Sequence, residues 1–155
     1  MRDRIAEADT GGLWRHEPPR PGADEAALTA AESALGVRLH RDFRSFLARC
    51  NGWPAFFQEN DLFGTAELTG EALHEARELV GYIQDEVPEV LGGNPVVPVA
   101  MSATGIDVFV SPVVGGRQTS VVLWLAGAPV ERFETFADFL AGMVRLNEDD
   151  LRDVG

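Results

Sequence analysis

Residues 35–64 read LGVRLHRDFRSFLARCNGWPAFFQENDLFG, and this stretch decides the fold. Gly36 follows the apolar Leu35 and is free to take the left-handed conformation that ends helices, so a helix stops here. A short extended piece, Val37–Leu39, leads to a second helix. Phe43, Phe46, Leu47 and Cys50 recur at i, i+3, i+4 and i+7, the spacing of one helical face. Asn51-Gly52 closes that helix with the two residues that best tolerate positive φ. The aromatic residues Trp53, Phe56 and Phe57 follow, and then a small strand at Leu62-Phe63.

This order of helix, Leu35-Gly36, short strand, Phe43-x-x-Phe46-Leu47 helix and Asn51-Gly52 resembles the N-terminal signature of the SUKH superfamily. That group contains fungal cell-wall-assembly regulators of the Smi/Knr type and bacterial immunity proteins for polymorphic toxins. Members commonly carry Leu-Pro where this chain has Leu39-His40. The resemblance is specific over 35–52 and looser over roughly residues 14–146. It implies a non-enzymatic, protein-binding module. One implied role is an immunity protein that neutralises a cognate toxin, often a nuclease or other nucleic-acid enzyme. The other is a regulatory or scaffolding protein with no toxin partner.

The 155 residues suffice for one domain with a real core. A hydrophobic share of 45% and a charged share of 25% are those of an ordinary globular chain. The net charge of −12 is not ordinary. It argues against binding nucleic-acid phosphates, which needs a basic patch, and it favours a cationic partner. A single cysteine, Cys50, cannot form an internal disulfide and suits a reducing compartment. Its place on an apolar helical face marks it as an inert thiol. The opening MRDRIAEADTGG has no apolar core of a signal peptide, and no apolar run approaches a membrane span. The expectation is a cytoplasmic protein that is not membrane-bound.

Elsewhere the chain reads as one domain over 1–155, with a loose lead-in over about 1–12 and Trp14 as a core anchor. Prolines 18, 19 and 21 impose an extended linker. A first helix over about 24–35 buries Leu28, Ala31 and Leu35. A third, over about 70–87, turns Leu73, Ala76, Val80, Ile83 and Val87 inward and ends at Pro88. Strands follow at Val96–Met101, Ile106–Val110, Ser120–Leu125 and Val130–Phe133, with hairpin turns at Thr104-Gly105 and Gly115-Gly116. The run VVLWL is apolar on both faces, as in a central strand. Thr135 and Asp138 form a variant capping box that opens a final helix burying Phe136, Phe139, Leu140, Met143 and Val144. An acidic tail, about 148–155, ends the chain. The fold class is α+β: an antiparallel sheet flanked by N-terminal helices, a middle helix and a C-terminal helix.

No catalytic constellation emerges. His16, His40 and His74 are isolated, and His74 with Glu78 at i, i+4 supplies two ligands rather than a metal site. There is no nucleophile elbow and no phosphate-cradling glycine loop, so neither a metal nor an organic cofactor is expected. The candidate site is instead a surface. Glu71, Glu75, Glu78, Tyr82, Asp85 and Glu86 fall within one arc of the 70–87 helix at about 100° per residue. That stripe is either a solvated face or a docking site for a basic protein. Trp53, Phe56 and Phe57 are either core or an apolar platform beside Glu59 and Asp61, and phenylalanine pairs favour the core.

Overall fold

Asp24 starts the first helix, α1 (Glu25–Leu35), by accepting the Ala27 N–H at 2.8 Å. Gly36, at φ 67°, stops it with its N–H on the Glu32 carbonyl. These are observations on a computed structural model that describes residues 18–57, 59–126 and 129–154. The 1–12 lead-in, Trp14, His16 and residues 127–128 lie outside them. Leu28, Ala31 and Leu35 are buried as their spacing predicts.

Helix α2 (Arg41–Arg49) buries Phe43 and Leu47 and leaves Phe46 half-buried. Asn51 has a different task from the positive-φ one expected of it, since only Gly52 takes positive φ there (93°). The Asn51 side chain reaches across the chain. Its oxygen accepts the Thr65 N–H at 2.7 Å and its amide donates to the Thr65 hydroxyl at 2.9 Å. It thereby anchors the start of the short helix α3 (Thr65–Leu68). The two segments approach so closely that a Cβ on Gly64 would lie 2.2 Å from the Asn51 carbonyl oxygen. The Asn-Gly pair is thus a joint between the helical N-terminal part and the sheet.

Between α2 and α3 lie β1 (Trp53–Phe57) and β2 (Asn60–Leu62). Strand β1 is absent from the sequence expectation because Pro54 argues against a strand. It is tolerated at a sheet edge, where no partner needs its N–H. Ala55 at φ 53° kinks the same strand, and its N–H donates to Asp61. Helix α4 (Glu71–Glu86) leads through a 3-10 turn at Pro88–Val90 into the remaining strands. These are β3 (Val96–Ser102), β4 (Val108–Val114), β5 (Arg117–Gln118), β6 (Val122–Leu125) and β7 (Pro129–Phe133).

The seven strands form one sheet in the order β1-β2-β3-β4-β6-β7, with β5 paired to the end of β4. Every named pair is antiparallel. The fold class is α+β, as the segregation of helices and strands predicts. Ile106 was expected in a strand but sits in the β3–β4 turn, because the Ser102 hydroxyl accepts the Ile106 and Asp107 N–H groups at 2.9 and 3.0 Å. The VVLWL strand is interior but next to the edge strand β7; the middle of the sheet is β3 and β4. Val97, Val99, Val108, Phe109 and Val110 are all fully buried there.

The last helix, α5 (Phe136–Val154), opens with Thr135 Oγ1 accepting the Asp138 N–H at 3.0 Å. It continues past Val144 through most of the residues expected as a tail, so 148–154 are helical. Phe139 is its main anchor. That ring meets Phe109 at 5.3 Å, Phe133 at 5.6 Å, Phe136 at 5.6 Å and Phe56 at 5.9 Å between centroids. Trp124 stacks on the Phe109 ring and donates its indole N–H to Asp107 at 3.1 Å. The core is an aromatic layer between α5 and the sheet, continuous with the aliphatic face of α4.

Candidate partner-binding surfaces

Helix α4 has two faces. Leu73, Ala76, Val80 and Ile83 are buried, and the principal neighbours of the helix are α3, the 88–90 turn, β3 and β4. On the other side Glu71, Glu75, Glu78, Tyr82, Asp85 and Glu86 are all exposed. Tyr82, at 66%, is the most exposed large apolar side chain among the described residues. The stripe runs the length of the helix, about 22 Å at 1.5 Å per residue. Among the described residues the ion pair it makes is Glu78 with His74, at 3.0 Å. Asp85 and Glu86 occupy the last turn, where no basic residue accompanies them. Carboxylates there oppose the helix dipole.

The aromatic candidates divide differently. Phe56 and Phe57 are core, at 1% and 5% exposure, and Phe57 meets the Trp124 ring edge-on at 6.3 Å. Phe57 therefore offers no surface to a partner, because its ring is buried against Trp124. Trp53 is half-buried and packs against the core. Glu59 is exposed. Asp61 is half-buried and accepts the Ala55 N–H at 2.8 Å, so it shapes the β1–β2 hairpin. Cys50 donates its S–H to the Gly52 carbonyl at 3.3 Å, and burial pushes its thiol pKa up, the opposite of what a nucleophile needs.

The model of the SMI1/KNR4 family (SUKH-1) matches residues 22–142. The chain belongs to this family. No curated protein matches it. Among the described residues of this SUKH-1 chain no helix is long and apolar enough to cross a membrane. Family membership gives it a protein-binding role of the toxin-immunity or SMI1/KNR4 kind.

A second charged region of this SUKH-1 chain went unseen in the sequence reading. All thirteen of its cationic side chains are arginines, and four of them, Arg38, Arg41, Arg44 and Arg117, line one cleft with Glu32, Leu39, His40 and Gln118. The extended 37–39 piece lies beside β5, with Arg38 and Arg117 directly paired in a parallel bridge. Arg38 N–H donates to the Gly116 carbonyl and Gln118 N–H to the Arg38 carbonyl, both at 2.9 Å. Glu32 organises the wall: one oxygen accepts the Leu39 N–H at 2.9 Å and the other accepts Arg44 Nε at 3.2 Å. Arg44 also grips Glu25 with two hydrogen bonds, at 2.6 and 3.0 Å. The available signal was the run RLHRDFR, with an arginine at every third position over 38–44; Arg117 had none.

Proposed function

We propose that this protein is an immunity protein that binds a cognate toxin stoichiometrically, the toxin being a basic domain such as a nuclease. It acts by occlusion and performs no chemistry. The family supports the protein-binding class, and the acidic face of α4 is the observation that carries the rest. Six side chains of that face, five of them carboxylates, stand exposed on one helix, opposite its buried side. A nucleic-acid enzyme must present cations to phosphates, so a rigid anionic row fits the same cleft. Tyr82 supplies amphipathic contact area within the row. Trp53 and Glu59 stand on the β1–β2 hairpin, a secondary contact region.

Charge steering of this kind accelerates association at low salt and fades as the Debye length shrinks to about 10 Å at 0.1 M. The test starts with co-purification from the native host and identification of the bound protein. The double substitution Glu75→Lys and Glu78→Lys should then slow association with that partner and leave the circular dichroism spectrum unchanged, since both residues point away from the core. A folded double variant that binds with unchanged rate and affinity reduces the acidic row to a solvated face. Recovery of a regulatory assembly in place of a toxin supports the SMI1/KNR4-type scaffolding role.

A further inference from the structure

We propose that the arginine cleft between the α1–α2 connection and the β4–β5 hairpin is a binding site for a phosphate-bearing small molecule. The cleft is concave, with a volume of about 520 Å³, a size usual for small-ligand pockets. What distinguishes it is its hydrogen-bonding inventory. Arg44 is committed to Glu25 and Glu32, and among the described residues Arg41 pairs with Asp42 alone, at 3.6 Å. Among the described residues neither Arg38 nor Arg117 pairs with a carboxylate, although the backbone bridge holds these two like charges side by side. Such pairing is unfavourable unless an anion joins it.

Gln118 adds an independent observation. It is only 4% exposed and lines the cleft. Its Oε1 accepts the His40 N–H at 2.9 Å. A backbone N–H can only donate, so this contact fixes which end of the amide is oxygen. The Nε2 end, with two N–H donors, finds no acceptor among the described residues. The same reasoning orients His40. Its Nδ1 accepts the Asp42 N–H at 3.2 Å, so its proton is on Nε2, a further donor at the cleft wall. The cleft thus presents guanidinium, amide and imidazole donors, while its one lining carboxylate, Glu32, is already engaged on both oxygens. Arginine forks and amide donors of this kind match a phosphate.

The size of the ligand follows from the rest of the molecule. At a net charge of −12 the protein repels a polyanion. A small anion seated in the cleft is governed by the arginines within a few ångströms, because more distant charges are screened over about 8 Å at physiological salt.

Isothermal titration calorimetry of the full chain with pyrophosphate should show saturable one-to-one binding. Backbone amide shifts should move at Arg38, His40 and Gln118. The Arg38→Ala/Arg117→Ala variant removes two exposed side chains that bond nothing among the described residues, and should weaken pyrophosphate by at least about tenfold. Gln118→Glu keeps an oxygen for the His40 N–H but replaces the free donors with a charge, and should abolish binding while circular dichroism stays native. The proposal is overturned if pyrophosphate shows no saturable binding, or if both variants bind it as the parent does. Tighter binding of an oligoglutamate peptide or an oligonucleotide than of pyrophosphate overturns it as well, since the cleft is then a docking patch for a macromolecule. None of these readouts needs the toxin partner, so their outcome stands apart from that of the α4 experiment.

Discussion

The acidic face of α4 and the arginine cleft carry opposite charge and are built in opposite ways. On α4 the carboxylates stand in water, and among the described residues the ion pair they make is Glu78 with His74; each is a charge on a post. In the cleft the framework groups are interlocked, with Glu32 holding Leu39 and Arg44, and Gln118 holding His40. Among the described residues the side chains of Arg38, Arg41 and Arg117 stand outside that lattice. A surface of the first kind can change its charges without changing its shape. In the second kind the same substitution changes shape or charge depending on which residue is chosen.

The largest effect is expected at the aromatic layer between α5 and the sheet. Phe139→Ala should cost about 3–5 kcal/mol, because it deletes a fully buried ring that touches four others. Urea denaturation measures it, and a loss below about 1 kcal/mol would mean that the aromatic layer does not hold the sheet to α5. Glu32→Ala should follow with about 1.5–3 kcal/mol, from a charge-assisted hydrogen bond to a backbone N–H and a half-buried ion pair. A neutral result would place Glu32 in the same class as the α4 carboxylates.

On α4 the sign should reverse. Glu86→Gln should raise stability by roughly 0.3–1 kcal/mol, since it removes a carboxylate from the helix's negative end. A loss of stability on that substitution would show that the row is held by contacts rather than left free. The smallest effect concerns the Glu25–Arg44 grip beside the cleft. Hydrogen bonding to Arg44 holds the Glu25 carboxyl below its ordinary 4.5. Its contribution is fully present above the unfolded-state value near 4.5, and is lost as pH falls through the lower folded-state value. An NMR titration of the Glu25 side-chain carbon should show a midpoint below 4.5, and in Arg44→Ala that midpoint should return to it.

Helical periodicity made the α4 row legible, because residues three and four apart must share a face and the buried set Leu73, Ala76, Val80 and Ile83 fixes which face is outward. The same argument identified the cores of α1 and α2. Strand β1 was hidden by Pro54, whose meaning depends on whether a strand lies at an edge, and edges are set by pairing rather than by local sequence. The helical continuation to Val154 was hidden because Glu148-Asp149-Asp150 reads as solvated charge, which a helix and a tail share. The cleft was beyond reach for a topological reason. Arg38 and Arg117 meet only because β5 returns beside the 37–39 piece, and nothing near either residue encodes the other.

The edges of the sheet have a consequence for how this protein chooses company. Strand β1 is broken by Pro54 and by the kink at Ala55, and β7 begins at Pro129 and carries Glu131 and Arg132 exposed at its centre. Neither margin offers a straight row of main-chain groups for a foreign strand to zip against. Recognition by backbone pairing, which is tolerant of sequence, is disfavoured at both of these margins. On the two proposed surfaces selectivity would then rest on side chains, where a single substitution can change which partner fits.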